Sequence, residues 1–337
     1  MPLTMPPEWA PHDRTWMAFP PAGPSSEDLD DAGLLEVRRA WAAVANAVAR
    51  FEPVTMVVDP SDVAAARELL VDGVDLVEAR LDDAWMRDMG PTFVHDSDGH
   101  VAAVDWIFNG WGAAEWASWD NDQYVAAFVG AHAGVTVETS PLTNEGGGIH
   151  VDGEGTVLVT ETVQLDPGRN PDWTKVQVEA ELRRCLGVEN VVWLERGLTR
   201  DYETFGTRGH VDIVACFASP GVILVHDQRD PGHPDHAVSA RVRELLTAAG
   251  DWTLVPVPAP AVVRDDEGWV DYSYINHYVC NGGVVLCAFD DPGDERAAAI
   301  LREVYPGREV VLVDARTIFS RGGGIHCITQ QQPSGRG

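Results

Sequence analysis

Along this chain, apolar runs rich in β-branched residues alternate with alanine-rich amphipathic runs, and the alternation returns about every 45 to 60 residues, the scale of radial or stacked arrays. It resolves into five similar units. The first opens with a strand over residues 15–19 and passes through a helix over 29–49, signalled by Ser25, Ser26 and acidic residues. It returns as a strand over 54–58. The second sets 92–94 against 101–104 across Asp96-Ser97-Asp98-Gly99, then predicts a helix over 121–133 and a strand over 135–138. The third sets 148–151 against 156–160 across Asp152-Gly153-Glu154-Gly155, followed by a helix near 175–186 and a strand over 191–194. Both turns have the Asp and Gly that tight hairpins require.

The fourth unit has strands over 211–217 and 222–225, a helix over 237–249 and a strand over 252–257. The fifth has 278–279 and 284–289 around Asn281-Gly282-Gly283, a helix over 293–304 and a strand over 310–313. One more short strand, expected over 325–329, has no helix after it. In a closed ring such a strand completes the first unit and leaves no unpaired sheet edge. The fold expected is therefore α/β, a five-bladed pseudo-symmetric α/β propeller of ββαβ-type units, preferred to the open doubly wound sheet that the same alternation also allows. One domain over residues 1–337 is expected.

Composition narrows the partners. The chain has 337 residues, 45% of them hydrophobic, enough for a large core. A formal charge of -29 disfavours nucleic acid, whose phosphates it would repel, and favours a small cation, while also serving solubility. Five cysteines without paired CxxC spacing argue against a disulfide framework and a zinc ribbon, so a reducing cytoplasm is expected. No apolar run reaches the roughly 18 to 20 residues of a membrane span. The first residues, MPLTMPPEWAPHDR, lack the basic-then-apolar pattern of a secretion signal.

The chemistry enters through a repeat. Residues 146–151 read GGGIHV and residues 322–327 read GGGIHC, so one scaffold element occurs twice and only the second copy carries a nucleophile, Cys327. Each unit is entered through a polar cluster, and in a radial fold these clusters converge on the axis. They are Trp85-Met86-Arg87-Asp88, Asn144-Glu145 before the first GGG, Arg208-Gly209-His210-Val211-Asp212, Tyr274-Ile275-Asn276-His277, and the segment ending at Cys327.

A thiol, a histidine and several carboxylates in one pocket suit a guanidinium, which is planar, permanently cationic and matched bidentately by carboxylates. Asp88 and Asp212 would clamp it and Cys327 would attack its central carbon. His210 would serve as general acid and then base, with Glu145 holding its ring. Trp85 would stack on the cation, a contact worth about 0.5 to 2 kcal/mol. His210-x-Asp212 and His150-x-Asp152 lack the flanking spacing of metal sites, so no metal and no cofactor is expected. His150 and His326 occupy equivalent repeat positions and are read as strand-packing residues.

These motifs resemble the agmatine deiminase family of guanidine-modifying penteins. The likeness runs through PPEWAPHDRTWMAFP, WMRDMGPTFV, NEGGGIHVDGEGTVLVTE, GRNP, GHVD and YPGREVVLVDARTIFSRGGGIHCITQQQP, covering essentially the whole chain. The resemblance implies a five-bladed α/β propeller and cofactor-free hydrolysis of agmatine to N-carbamoylputrescine and ammonia, a step of putrescine biosynthesis. By position it carries the nucleophile onto Cys327, the histidine onto His210, its partner onto Glu145 and the guanidinium-binding aspartates onto Asp88 and Asp212.

Three positions depart from the family pattern. Residues 201–212, DYETFGTRGHVD, are longer than the family's acidic tail-reading run, with Arg208 where asparagine is usual; Gly324 replaces asparagine and Met89 replaces threonine. An inward Arg208 would repel a terminal ammonium and favour a carboxylate. Deiminases of arginine, acyl-arginine or peptidyl-arginine, and a non-catalytic guanidine-binding propeller, therefore stay as alternatives. The partner expected is a small cationic guanidino compound, with no nucleic acid and no membrane; a homo-oligomer is left open.

Overall fold

The first apolar run folds as β1 (His12–Ala18), and the chain returns parallel to it as β2 (Val54–Val58) after the helix Asp31–Val48. That helix starts where Asp30 accepts the Gly33 N–H at 2.8 Å, and it lays Val37, Trp41, Val44 and Val48 on the core. A short helix, Val63–Leu69, and a half-exposed strand, β3 (Val74–Glu78), extend the sheet by one parallel strand that the pattern did not reveal. Residues 2–265 and 268–336 are described in this computed structural model.

The next four units share one plan, an antiparallel hairpin followed by a helix and a strand parallel to the hairpin's second arm. They are β4 (Thr92–His95), β5 (Val101–Ile107) and β6 (Thr136–Thr143); then β7 (Ile149–Val151), β8 (Thr156–Thr160) and β9 (Asn190–Leu194). β10 (Ala215–Ser219), β11 (Val222–Asp227) and β12 (Thr253–Pro258) follow, then β13 (Tyr278–Cys280), β14 (Gly283–Ala288) and β15 (Glu309–Asp314). The last strand, β16 (Gln330–Pro333), pairs antiparallel with β1, Gln330 opposite Trp16. The chain's end thus supplies the hairpin partner that the first blade lacks, and the ring closes.

Burial grades from hub to rim. The first strands β4, β7, β13 and β16 are buried throughout, whereas β9, β12 and β15 are mostly half-exposed or exposed. Function-bearing side chains on the turns that lead into the inner strands therefore enter a region sealed from solvent by the blades.

Two expected strands start later than the pattern placed them. Residues 211–217 were expected extended, but Val211–Ile213 forms a 3-10 turn before β10; residues 325–329 likewise give way to the 3-10 turn His326–Ile328 before β16. The apolar residues Val211, Ile213, Ile325 and Ile328 are buried as a strand's would be. The backbone turns instead, and those turns aim Asp212 and Cys327 at the axis.

Ring closure includes a buried side-chain link, the Trp16 indole N–H donating to Gln332 Oε1 at 2.9 Å. Gln332→Ala leaves that N–H without a partner, and chemical denaturation should register a loss of about 1–3 kcal/mol.

Candidate functional site

Each blade delivers its residues from the turn that precedes its inner strand. Asp88 lies on the one-turn helix Met86–Met89, Glu145 just before the 3-10 turn Gly146–Gly148, Asp212 and Cys327 within their 3-10 turns, and Asn276 two residues before β13. All five are at most 4% exposed, as is His210.

Distances draw them around one centre. Cys327 Sγ lies 3.5 Å from Asp212 Oδ2 and accepts from Asn276 Nδ2 at 3.2 Å. His210 Nε2 meets Glu145 Oε2 at 3.2 Å, which leaves Nδ1 facing Asp88 Oδ1 at 3.8 Å, too long for a hydrogen bond. Asp88 Oδ2 accepts from the Trp111 indole at 2.9 Å and Oδ1 from the Gly147 N–H at 3.1 Å. Gly147 has no room for a side chain, because a Cβ there would lie 2.4 Å from His210 Nδ1. Likewise a Cβ on Gly323 would lie 2.9 Å from the Trp85 ring and 3.0 Å from Cys327 Sγ, so ring and sulfur flank the same backbone.

A ring of ion pairs surrounds this centre. Glu145 receives Arg169 Nε at 2.9 Å, and Arg169 continues to Asp166 at 2.8 Å and to the Thr207 carbonyl at 2.7 Å. On the other side His326 bridges Asp212 Oδ2 at 2.8 Å and Glu8 Oε1 at 2.7 Å. Arg87 approaches Glu8 at 3.5 Å and His150 approaches it at 3.6 Å. His150 packs against Phe217, as a strand residue should, but His326 does more than pack: it fixes one oxygen of Asp212. Glu8, His150 and His326 lie close enough to hold a cation, yet Arg87 and the His326 ring already balance Glu8.

The electrostatics follow from burial and these pairs. Burial raises the Asp88 carboxyl, helped by Glu145 and Asp212, to a pKa of about 6. Burial alone would lower His210, but Asp88 and Glu145 outweigh it and hold the ring at about 9. Burial works against an ionised Asp212 as well, yet its His326 partner carries it below the usual carboxylate range. The Cys327 thiol is pushed well above its ordinary range, by burial first and then by Asp212 and Asp88. The resting centre accordingly holds a protonated sulfur and a protonated imidazole at neutral pH. Around the sulfur, Asp212 Oδ1 and His210 Nδ1 are buried without a hydrogen-bond partner among the described residues. The open acceptor on Asp212 suits an N–H donor of a flat cation, and the free N–H of the charged imidazole is left for a group that can accept its proton.

The structure brings Cys327, His210, Glu145, Asp88, Asp212 and Trp85 together, but not Arg208. Its guanidinium turns to Asp166 at 3.1 Å, its side chain is 43% exposed, and its backbone is left-handed with φ of 67°. The expected repulsion of an ammonium inside the pocket is thereby corrected: Asp166 is a better partner than a centre that already holds a charged imidazole. Sequence reading passed over Glu8, Trp111, Arg169 and Asn276. Asn276 stood in the fourth polar cluster and Arg169 in GRNP, but what they touch depends on contacts across blades. Asn276 also accounts for Gly324, since a Cβ there would lie 2.4 Å from its Oδ1.

Removing the charge nearest the sulfur tests this electrostatic account. Asp212→Asn should bring the Cys327 ionisation down by on the order of one pH unit or more, read from the pH dependence of iodoacetamide labelling by mass. An unchanged labelling profile would mean that the carboxylate does not govern the thiol.

Comparison with known proteins is consistent along the whole chain. The family described as Porphyromonas-type peptidyl-arginine deiminase matches residues 4–333. A relative from Streptomyces coelicolor is 61% identical over 339 residues, covering 99% of both chains. The agmatine deiminase of Ectopseudomonas mendocina is 40% identical over 361 residues, covering 99% of this chain and 96% of the relative. Among solved structures, the agmatine deiminase of Enterococcus faecalis superposes with a TM-score of 0.90 at 31% identity, covering 98% of this chain and 96% of that one.

Proposed function

The chain belongs to the Porphyromonas-type peptidyl-arginine deiminase family, and from that membership we propose that it is an agmatine deiminase, hydrolysing agmatine to N-carbamoylputrescine and ammonia through a covalent adduct on Cys327. The observation that carries the chemistry is the pair of unpartnered buried atoms, Asp212 Oδ1 and His210 Nδ1, on either side of a centre that also presents a thiol.

Asp88 and Asp212 hold the guanidinium between them, and the Trp85 ring lies along its face. Arrival of that cation offsets the carboxylate charge that kept the sulfur protonated, so the thiol releases its proton to solvent as substrate binds and the thiolate forms only then. Sulfur attacks the central carbon and a C–S bond forms. His210, protonated at rest, gives its proton to the departing nitrogen; the C–N bond breaks and ammonia leaves. The neutral imidazole then takes a proton from water as that water adds to the amidino carbon. The C–S bond breaks, the added hydroxyl gives its remaining proton to the leaving sulfur, which returns to its resting thiol, and the carbon leaves as a urea. Glu145, itself fixed by Arg169, keeps the ring turned so that Nδ1 faces the reacting carbon. The whole described chain, one propeller, is read as a single catalytic domain in a reducing cytoplasm. No helix among the described residues is long and apolar enough to cross a membrane.

Ammonia release from agmatine tests the reading, and Cys327→Ala should abolish turnover and the adduct mass together. A variant that kept full activity would remove sulfur from the reaction. The free enzyme should also show a bell-shaped kcat/KM. It falls below about pH 6 as Asp88 takes up a proton and loses its hold on the cation, and above about pH 9 as His210 loses the proton it must donate. A profile flat from pH 5 to 10 would contradict both roles.

A further inference from the structure

Beside the reacting centre lies a cavity of about 210 Å³ that shares the Trp85 ring with it. Trp116 and Phe205 form an aromatic wall, their rings edge to face at 5.4 Å. One cation lines this space, Arg321, and it is already engaged. It donates to Asp28 Oδ2 at 2.6 Å and to the Ser25 carbonyl at 2.6 Å, and its guanidinium lies over Phe205 at 4.9 Å. Asp83 also lines the cavity but is placed differently. One of its oxygens accepts the Ala84 N–H at 2.8 Å, and the Trp85 and Ser25 side chains and the Arg321 charge favour its ionised form, but no ion pair holds the carboxylate among the described residues.

The segment expected to read the substrate's far end is occupied with its own folding. Asp201 accepts from the Thr207 N–H at 2.7 Å, the Thr207 hydroxyl at 2.8 Å and the Gly209 N–H at 2.5 Å. Arg208 is turned to Asp166. A second charge on the tail of a cation held at the reacting centre meets three carboxylates in the cavity, Glu27, Asp28 and Asp83; Asp28 is paired with Arg321, and Asp83 is the one that interacts with the Trp85 side chain shared with the reacting centre.

We propose that Asp83 is the specificity-determining carboxylate for the substrate's non-reacting end, taking a terminal ammonium while the guanidinium sits against Cys327. This rests on the deiminase reading above. Asp83 and Trp85 are two residues apart in a non-helical stretch, so their backbones stand at most about 7 Å apart, comparable with an extended four-carbon tail lying along the indole. Burial holds the Asp83 carboxyl up at about 6 against the pull of the Ala84 N–H, Arg321, Trp85 and Ser25, so at neutral pH it is a buried anion that gains from a cation and gains nothing from an apolar tail. A tail ending in a carboxylate would meet Asp83 and Asp28 as like charges. The class selected is the ω-aminoalkyl guanidine, and guanidino acids are disfavoured.

The discriminating pair is agmatine and n-butylguanidine, which share the reacting group and differ in the terminal charge. The unaltered enzyme should prefer agmatine by tenfold or more in kcat/KM. Asp83→Asn should reduce that preference at least tenfold, mainly through KM for agmatine, and Asp83→Glu should keep most of it. A preference that survives Asp83→Asn intact overturns the assignment. Should that variant fail to fold, the unaltered enzyme still decides: equal turnover of both compounds overturns the ammonium subsite while leaving the deiminase reading standing. Turnover of neither compound, nor of any other guanidine, defeats the deiminase reading itself.

Discussion

Everything at the hub depends on an unequal balance of buried charge. Removing a carboxylate from water is costly unless a cation or several hydrogen bonds replace the lost solvation. Around the axis most of the balance is made: Arg169 answers Glu145, while Arg87 and His326 answer Glu8 and one oxygen of Asp212. At the centre it is not. Asp88 meets no guanidinium, the nearest imidazole nitrogen is 3.8 Å away, and the second oxygen of Asp212 has no partner. The protein therefore folds around a place shaped for a cation that it does not itself supply.

That single deficit accounts for several features together. It explains why Asp88 is hard to ionise, why the imidazole is held charged, and why the sulfur is held protonated. A thiol kept neutral at rest is also less exposed to adventitious alkylation or oxidation, since the thiolate is the reactive form. The ring geometry makes the deficit possible. Only where five blade-entry turns meet can carboxylates from residues 88, 145 and 212 face one sulfur from residue 327, and glycines at 147 and 323 let backbone pass where any side chain would fill the gap.

Much of this was legible in the chain because repetition made it so. The paired segments 146–151 and 322–327 differ in one chemically decisive residue, and the Asp- and Gly-rich turns place the hairpins closely. The third-blade helix occupies Lys175–Leu186, the span its periodicity gave, because Thr174 and Gly187 cap it locally. What was not legible depends on contacts distant in sequence. Nothing near Glu8 announces that it will meet His326, and nothing in GRNP says that Arg169 will orient an imidazole through Glu145. The strands expected at 211–217 and 325–329 failed for a related reason: burial there is as complete as in a strand, and periodicity reports burial better than it reports backbone direction.

Arg208 shows how the same limit affects a functional reading. Placed between Thr207 and Gly209, the neighbour of His210, it invited an inward orientation, yet its left-handed backbone swings the side chain out to Asp166. Asp166 in turn holds Arg169, and Arg169 holds Glu145. The side chain at 208 thus connects to Glu145 through three successive ion pairs, each of which has a second partner to steady it. Residues that recognise the far end of a substrate are free to change only where they are not links in such a chain. Asp83, which lines a cavity and holds no ion pair, meets that condition, whereas the residues of the 201–210 loop brace His210. On the proposed roles, substrate choice and bond-breaking would be carried by different blade-entry segments, and the first could drift without disturbing the second.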